Sequence, residues 1–456
     1  MLLGCAPFAP KVRVAEQDTV PPAYSNGSSE SRMPQPWWES FNDDQLNDLI
    51  EEALASNYSL QQLWARLRQA RALTVKSGAA LYPDLTLDGS GSVGRQQISN
   101  GSTATETVER YTSGLVSNYE IDLWGRIRSQ HQVARLSEAA SREDLNAAAI
   151  TLAANVATRW IGIVSQRMQK QLLERQLAAN RTLVELVELR FRKSLASALD
   201  VFQQRQLVAQ SQAQIPLVEQ SERQLLNEMA LLLGRTPFKV PEIQSRSLEI
   251  PDHVPETGIP AQLLSARPDI QAAMRRLELA DWNVAAAKAD RLPSLSLTAG
   301  AAYQADELNL LLDNWLINLV ANLTAPLLDG GRRKAEVGRL TAVVDENLAA
   351  YRQTVLTAVR EVEDALVGEE KLQAHLRGLD AQLDAARNAL NEARSRYRSG
   401  LIDYLPVLTQ LLTVQNLERT IIQRKADLLV ARVNLYRALG GSWTDGLEPL
   451  ARRHAN

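Results

Sequence analysis

Residues 314–333, NWLINLVANLTAPLLDGGRR, alternate with a period of two. Trp315, Ile317, Leu319, Ala321 and Leu323 share one face, continued by Ala325 and Leu327, while Asn318, Asn322 and Thr324 lie on the other among Leu316 and Val320. That alternation is the side-chain geometry of a β-strand. Stretches 85–93, 111–121 and 295–303 alternate in the same way, so the sequence predicts four strands and two hairpins. Almost everything else has helical spacing. Leu46, Leu49, Ile50, Ala53 and Leu54 form an apolar stripe, with Asn42, Asp43 or Asp44 placed to cap its start. Ile150, Ala153, Val156, Trp160, Ile163 and Val164 form another. From Arg126 to Leu233 only Gly162 and Pro216 interrupt the helical pattern, and residues 332–398 contain no proline. A helix of about 65 residues rises roughly 97 Å. Such rods need lateral helical partners, in coiled-coil fashion.

The pattern occurs twice. ALASNYSLQQLWARLRQARALTVKSGAALYPDLTLDGSGSV parallels LLSARPDIQAAMRRLELADWNVAAAKADRLPSLSLTAGAAY, with Pro83 over Pro293 at an offset of 210. YEIDLWGRIR then parallels APLLDGGRRK, with Gly125 over Gly331 and Arg126 over Arg332, offset 206. The same offset aligns RFRKSLASALDV with RYRSGLIDYLPV, and residues 231–234 with 437–440. Each half reads helix, strand, loop, strand, long helix, turn, long helix.

Taken alone, strands with one apolar face suit a soluble sheet packed on helices. Strands of roughly nine to eleven residues also suit a tilted crossing of an outer membrane. Both hairpins are expected at the same end of the long helices, enclosing polar loops at 95–110 and 304–314. Four strands cannot close a barrel in lipid, and open edges cannot lie there. Membrane strands would therefore have to be pooled by several copies. Two copies give a filled interior and three leave a passage.

Composition narrows the partners. A net charge of −3 over 456 residues gives no reason to expect nucleic acid. No run approaches the roughly 18 apolar residues of a membrane-spanning helix. The one cysteine, Cys5, follows Leu2-Leu3-Gly4. It reads either as an incidental terminal thiol or as a lipobox cysteine carrying the lipid anchor. The residues before it lack the basic and apolar regions of a signal peptide, so a truncated start is expected. The histidines at 131, 253, 375 and 454 have no metal-ligand spacing, and no metal or cofactor is expected. LLDGGRRK lacks the spacing of a phosphate loop. Glu361, Glu363 and Asp364 beside Arg360 read as a solvated helix face, not a catalytic group.

Several stretches resemble one family in its own motif order: WWESFNDDQLNDLIEEALASN, YEIDLWGR, APLLDGGRRKAEV, VREVEDAL, RYRSGLIDYLPVL and VNLYRALGGSW. The chain resembles TolC-like outer-membrane factors, specifically the lipoprotein branch that serves multidrug, RND-type efflux. The resemblance implies a mainly α fold with a membrane β-barrel: a homotrimer with a 12-stranded barrel in outer-membrane lipid and a 12-helix periplasmic α-barrel. It also implies a passive exit duct docked to a periplasmic adaptor and, through it, an inner-membrane pump. The expected organisation is a lipobox and tether over 1–36, a first repeat over 37–240, a linker over 241–260, a second repeat over 261–441 and a tail over 442–456.

By the same resemblance, the helix-to-helix turns form the periplasmic tip. Ser194, Leu195, Ala196 and Ser197, with Gly400, Leu401, Ile402 and Asp403, would meet the adaptor. Plain turn chemistry accounts for most of them, and Gly400 suits a positive φ better than Ser194 does. Leu195 and Leu401 are the apolar hints. The family's gate segment commonly reads YLxLLDAQR. Here YLPVLTQLL keeps Leu405 but has Thr409 for the aspartate and Leu412 for the arginine. Asp200 and Asp403 either add charge to the gate or are solvated helix ends. Trp315, Ile317, Leu319, Ala321 and Leu323 would face lipid. Two alternatives stay open: the duct of a type I protein-secretion system and a soluble coiled-coil scaffold.

Overall fold

The computed structural model describes residues 7–11, 21–25, 31–32, 36–99, 103–239, 241–245, 247–251, 254–441 and 443–447. Cys5, and with it the expected lipidation, lies outside them. The elements in chain order are β1 (Ser31–Arg32), α1 (Asp44–Ser56), α2 (Tyr58–Ala79), β2 (Thr86–Ser99), β3 (Thr103–Ile121), α3 (Arg126–Arg192), α4 (Ala198–Leu232), β4 (Glu256–Thr257), α5 (Leu263–Ala266), α6 (Pro268–Ala289), β5 (Ser294–Ala305), β6 (Trp315–Thr324), α7 (Arg332–Arg398) and α8 (Tyr404–Leu439). The order helix, strand, strand, 67-residue helix, shorter helix thus occurs twice. Of the three candidate caps for α1, Asp43 serves: its carboxylate accepts the Leu46 N–H at 2.8 Å.

Two compact units share the long helices. One draws on Ala65–Glu143 and Gln271–Gln353, with Met1–Ala15; the other on Glu16–Trp64, Asp144–Ile270 and Thr354–Asn456. The first holds a four-stranded antiparallel sheet in the order β2-β3-β5-β6. Its first hairpin is longer than the sequence predicts. The stretch expected as a polar loop is strand out to the pair Ser99 and Thr103. Thr103, Thr105, Thr107 and Val108 are β-branched and suit a pleated backbone whether or not a face is apolar. Alternation of hydrophobicity detects only strands with unlike faces, which is why it stopped short.

The second unit is a helical body. One apolar cluster runs from Val187, Val201 and Leu207 through Leu376, Leu383 and Leu390 to Val407, Leu411 and Leu417. Neither candidate interruption breaks a helix: α3 passes through Gly162, and Pro216 lies inside α4. Gly162 has a packing reason, since a Cβ there would sit 3.1 Å from Leu225 Cδ1 on α4. Within α3 one 18-residue window reaches mean hydropathy 1.4, but 61% of it is buried. Its apolar character belongs to helix packing.

Candidate functional site

In an antiparallel sheet, residues directly opposite one another share a face. The register therefore sorts the side chains. Leu323 pairs with Leu295, Ala321 with Leu297, Leu319 with Ala299, Ile317 with Ala301 and Trp315 with Tyr303. The same row of pairs continues to Ile121, Tyr119, Leu115 and Tyr111 on β3 and to Leu87 and Val93 on β2. All five strand residues singled out from the sequence thus fall on one mostly apolar face, which also carries Ser113, Ser117 and Glu109 of β3. The opposite face carries Ser90, Ser92, Thr112, Asn118, Ser296, Thr298, Asn318 and Asn322. There Thr298 Oγ1 bonds Asn118 Oδ1 at 3.0 Å. Every residue of β6 is exposed, Leu319 by 74%. A sheet with an apolar face that is exposed along β6 and in part half-buried on β3 and β5, and whose edges β2 and β6 are unpaired among the described residues, is incomplete as it stands.

The helices leaving the sheet begin on carboxylate caps. Asp122 accepts the Ile127 and Arg128 N–H groups and the Arg128 side chain. Partial burial pushes its pKa up, but these bonds outweigh it and hold the carboxyl below its usual range. Asp329 receives the Gly331 and Arg333 N–H groups and is likewise held low, chiefly by the Arg333 N–H. Beside these caps the Trp124 indole donates to Pro293 O at 2.7 Å, tying the two repeats together.

In the helical unit, the turns α3–α4 and α7–α8 are near copies. Leu195 N–H reaches Arg190 O at 2.8 Å and Ser194 N–H reaches Phe191 O at 2.9 Å. Leu401 N–H reaches Arg396 O at 2.9 Å and Gly400 N–H reaches Tyr397 O at 3.1 Å. Both are Schellman closures, which place one residue in the left-handed region. That residue is Gly400 at φ 72° in one turn and Ser194 at φ 58° in the other. The serine accepts the strain that its glycine counterpart avoids. Ser194→Gly is therefore expected to raise stability, and Gly400→Ala to lower it, each by about 1 kcal/mol. Thermal unfolding of the two variants checks the signs.

Leu195 and Leu401, which follow these residues, are exposed by 62% and 73%. Ala196 and Ile402, one step on, are partly buried against the apolar cluster. Ser197 caps α4 in a capping box: its side chain accepts the Asp200 N–H at 3.1 Å, and the Asp200 carboxylate accepts the Ser197 N–H at 2.9 Å. Asp403 caps α8 without a side-chain bond and is exposed. The structure thus engages Asp200 in the turn and leaves the Asp403 carboxylate outside such a cap. Leu405 and Thr409 lie on one exposed line of α8, with the Thr409 hydroxyl donating to Leu405 O at 2.9 Å. Leu412, seven residues from Leu405, returns to nearly the same side of α8 and is partly buried against the cluster. One turn beyond Thr409, Thr413 Oγ1 donates to Thr409 O at 2.9 Å.

Sequence reasoning missed the polar core behind these turns. Tyr404 Oη donates to Gln204 Oε1 at 2.5 Å, and Gln204 Nε2 donates to Asn180 O at 3.1 Å. Asn180 exchanges bonds with Ser211 and Gln415. Arg190 stacks over the Tyr397 ring at 4.4 Å, and Tyr397 in turn contacts Tyr404. Burial pushes both tyrosine hydroxyls above their ordinary pKa. The ends of all four long helices are thereby linked. Heptad spacing carried the signal: Asn180 sits between Leu173 and Val187, and Gln204 and Ser211 are themselves seven apart. Among the described residues no cluster of His, Cys, Asp and Glu could hold a metal.

An amphipathic sheet with bare edges, joined in sequence to 67-residue helices, defines a membrane-channel class of protein. Comparison with known proteins gives the family. Residues 49–235 and 259–441 match the family described as outer membrane efflux protein. The pyoverdine export outer membrane protein OpmQ of Pseudomonas aeruginosa is 34% identical over 439 residues, 94% of this chain and 91% of that one. OprJ of the same species is 31% identical, over 91% of this chain and 88% of that one. Among solved structures, the outer-membrane channel OprN superposes with a TM-score of 0.90 at 28% identity, covering 96% of this chain and 99% of that one. VceC of Vibrio cholerae gives 0.85 at 27% identity, covering 90% and 100%. The chain belongs to the outer membrane efflux protein family. It is an outer-membrane channel protein and not an enzyme.

Proposed function

We propose that three copies pool their sheets into a 12-stranded barrel in the outer membrane and their long helices into a 12-helix periplasmic conduit. The duct passes small molecules passively, delivered by an adaptor and an energised inner-membrane pump. The observation that carries this reading is the sheet: one mostly apolar face suited to lipid, one hydroxyl- and amide-rich face suited to water, and two edges that lipid would not tolerate bare. Relatives are named for export of pyoverdine and efflux of antibiotics and toluene, which fits a duct that leaves selection to the pump. In this reading the domain order is a tether over 1–36, with Cys5 lipidated, then repeats over 37–240 and 261–441 joined by 241–260, and a tail over 442–456. The expected result is a trimer on gels that dissociates on heating and floats with outer-membrane vesicles. A stable detergent-soluble monomer would refute it.

The turns around Leu195 and Leu401 are the adaptor-docking points in this reading, with Ser194, Ala196 and Ser197 shaping one and Gly400, Ile402 and Asp403 the other. The gate is the exposed line of Leu405 and Thr409, backed by Leu412. Threefold rings of leucine and threonine form a neutral constriction, which closes by dewetting and needs no cation to offset repelling carboxylates. Asp403, outside the capping box, is the nearest acidic group able to add charge, whereas Asp200 is held by Ser197. Single-channel conductance is expected to change little with divalent cations or acid. Thr409→Asp should confer sensitivity to both.

A further inference from the structure

The two hairpins are related residue by residue. With offsets of 210 between β2 and β5 and 206 between β3 and β6, the pair Thr86 and Val116 becomes Ser296 and Asn322. Those two residues are indeed partners in the second hairpin. The junction between the repeats, β3 against β5, lies inside the chain and its register is visible: Ser113 opposite Tyr303, Leu115 opposite Ala301, Ile121 opposite Leu295. Only its counterpart, β6 against a β2, has no partner within the chain, because both strands are sheet edges.

We propose that β6 of one copy pairs antiparallel with β2 of the next in the register obtained by carrying the β3–β5 junction through the repeat offsets. Ser113 maps to Leu319 and Tyr303 to Val93, so Leu319 lies opposite Val93 of the next copy. Likewise Ala321 lies opposite Gly91, Val320 opposite Ser92 and, just past the strand end, Leu327 opposite Leu85. Two features that were not used to build this register agree with it. It keeps Leu319, Ala321 and Leu323 on the same face as Leu87 and Val93, whereas a slip of one residue would turn apolar side chains into the polar face. It joins side chains that are exposed in the single chain: Leu319 with Val93, and Leu327 with Leu85. The register also fixes the stagger, and with it a strand tilt steeper than the roughly 35–45° usual in barrels. The row Leu87, Leu115, Ala301, Ile317 returns at Arg95 of the next copy, eight residues on. Around three copies that stagger tilts the strands by roughly 50–55° and gives a backbone diameter of about 30 Å. The copied junction differs from its template in one respect: the offset of 206 puts Gly330 where Trp124 stands, so no indole clamps the pairing and Leu327 and Leu328 take its place.

The inference rests on the trimeric barrel reading but is more specific, and cysteine cross-linking separates the two. Full-length chains carrying Leu319→Cys with Val93→Cys, or Val320→Cys with Ser92→Cys, are oxidised in outer membranes. Unheated samples are run in parallel to score the non-covalent trimer. The two pairs are successive ladder positions, so one of them is the closely spaced kind. Single-cysteine chains and the unsubstituted chain control for Cys5. Covalent dimers and trimers are expected from at least one of these pairs. Leu319→Cys with Gly91→Cys or with Arg95→Cys should give at least ~10-fold less, because diagonal neighbours about 7–8 Å apart exceed disulfide reach. A heat-dissociable trimer that cross-links through a shifted pair, or through none, overturns the register and leaves the duct standing. Loss of the trimer from the unsubstituted chain as well overturns both.

Discussion

Glu369→Ala is expected to destabilise the helical unit by about 3–5 kcal/mol, well above the cost of an ordinary surface substitution. Glu369 on α7 and Arg432 on α8 are ion-paired with side chains only 4% and 1% exposed. Gln373 Nε2 also donates to Glu369 Oε1 at 3.0 Å, and Arg432 Nη1 reaches Pro251 O at 3.4 Å. Removing the carboxylate takes this ion pair away from a guanidinium that is almost wholly buried. Arg432→Ala leaves the opposite charge stranded and should cost a similar amount. Arg432→Met with Glu369→Leu removes both charges and fills the space, so it should cost far less than either single change. Thermal unfolding of the three variants in detergent, followed by far-ultraviolet dichroism, reads the difference. If the double variant is as unstable as the singles, packing and not charge burial sets the cost.

Leu319→Arg is the second large expectation, at about 2–4 kcal/mol, the cost of a cation on the lipid face near the bilayer centre. Its neighbour in sequence makes the control. Asn318 points to the polar face, so Asn318→Arg should leave assembly nearly unchanged. The two substitutions add the same side chain one residue apart and differ only in which face receives it. Urea-induced unfolding in vesicles, with the fraction of heat-dissociable trimer as a second readout, distinguishes them. Equal losses would mean that the sheet does not separate lipid from water.

Much of the architecture was legible because two periodicities are strong. Trp315 through Leu323 alternate without exception on one face, and the stripe from Ile150 to Val164 keeps helical spacing, so strand β6 and helix α3 were readable from hydrophobicity alone. The repeat offsets then supplied what weaker segments lacked. The extension of β2 and β3 to Ser99 and Thr103 was not readable, because the sequences RQQIS and TATETVER show no regular alternation of apolar and polar residues. Asn180, Gln204 and Gln415 were passed over for a related reason: polar residues on an apolar stripe look like interruptions until their mutual bonds are seen. The left-handed Ser194 was anticipated only as a poor fit beside Gly400, since sequence gives the preference but not the angle. Leu412, grouped with Leu405 and Thr409 by motif position, lies seven residues from Leu405 and so returns to nearly the same side of α8, where it is partly buried against the apolar cluster.

The inequality of the two turns carries a consequence for stoichiometry. In the proposed threefold assembly six such points would be displayed, alternately serine-type and glycine-type, so that any sixfold symmetry there would be only approximate. A cap of six identical subunits would meet two kinds of seat in strict alternation. Its contacts must then either ignore the difference or settle into three tight and three slack positions.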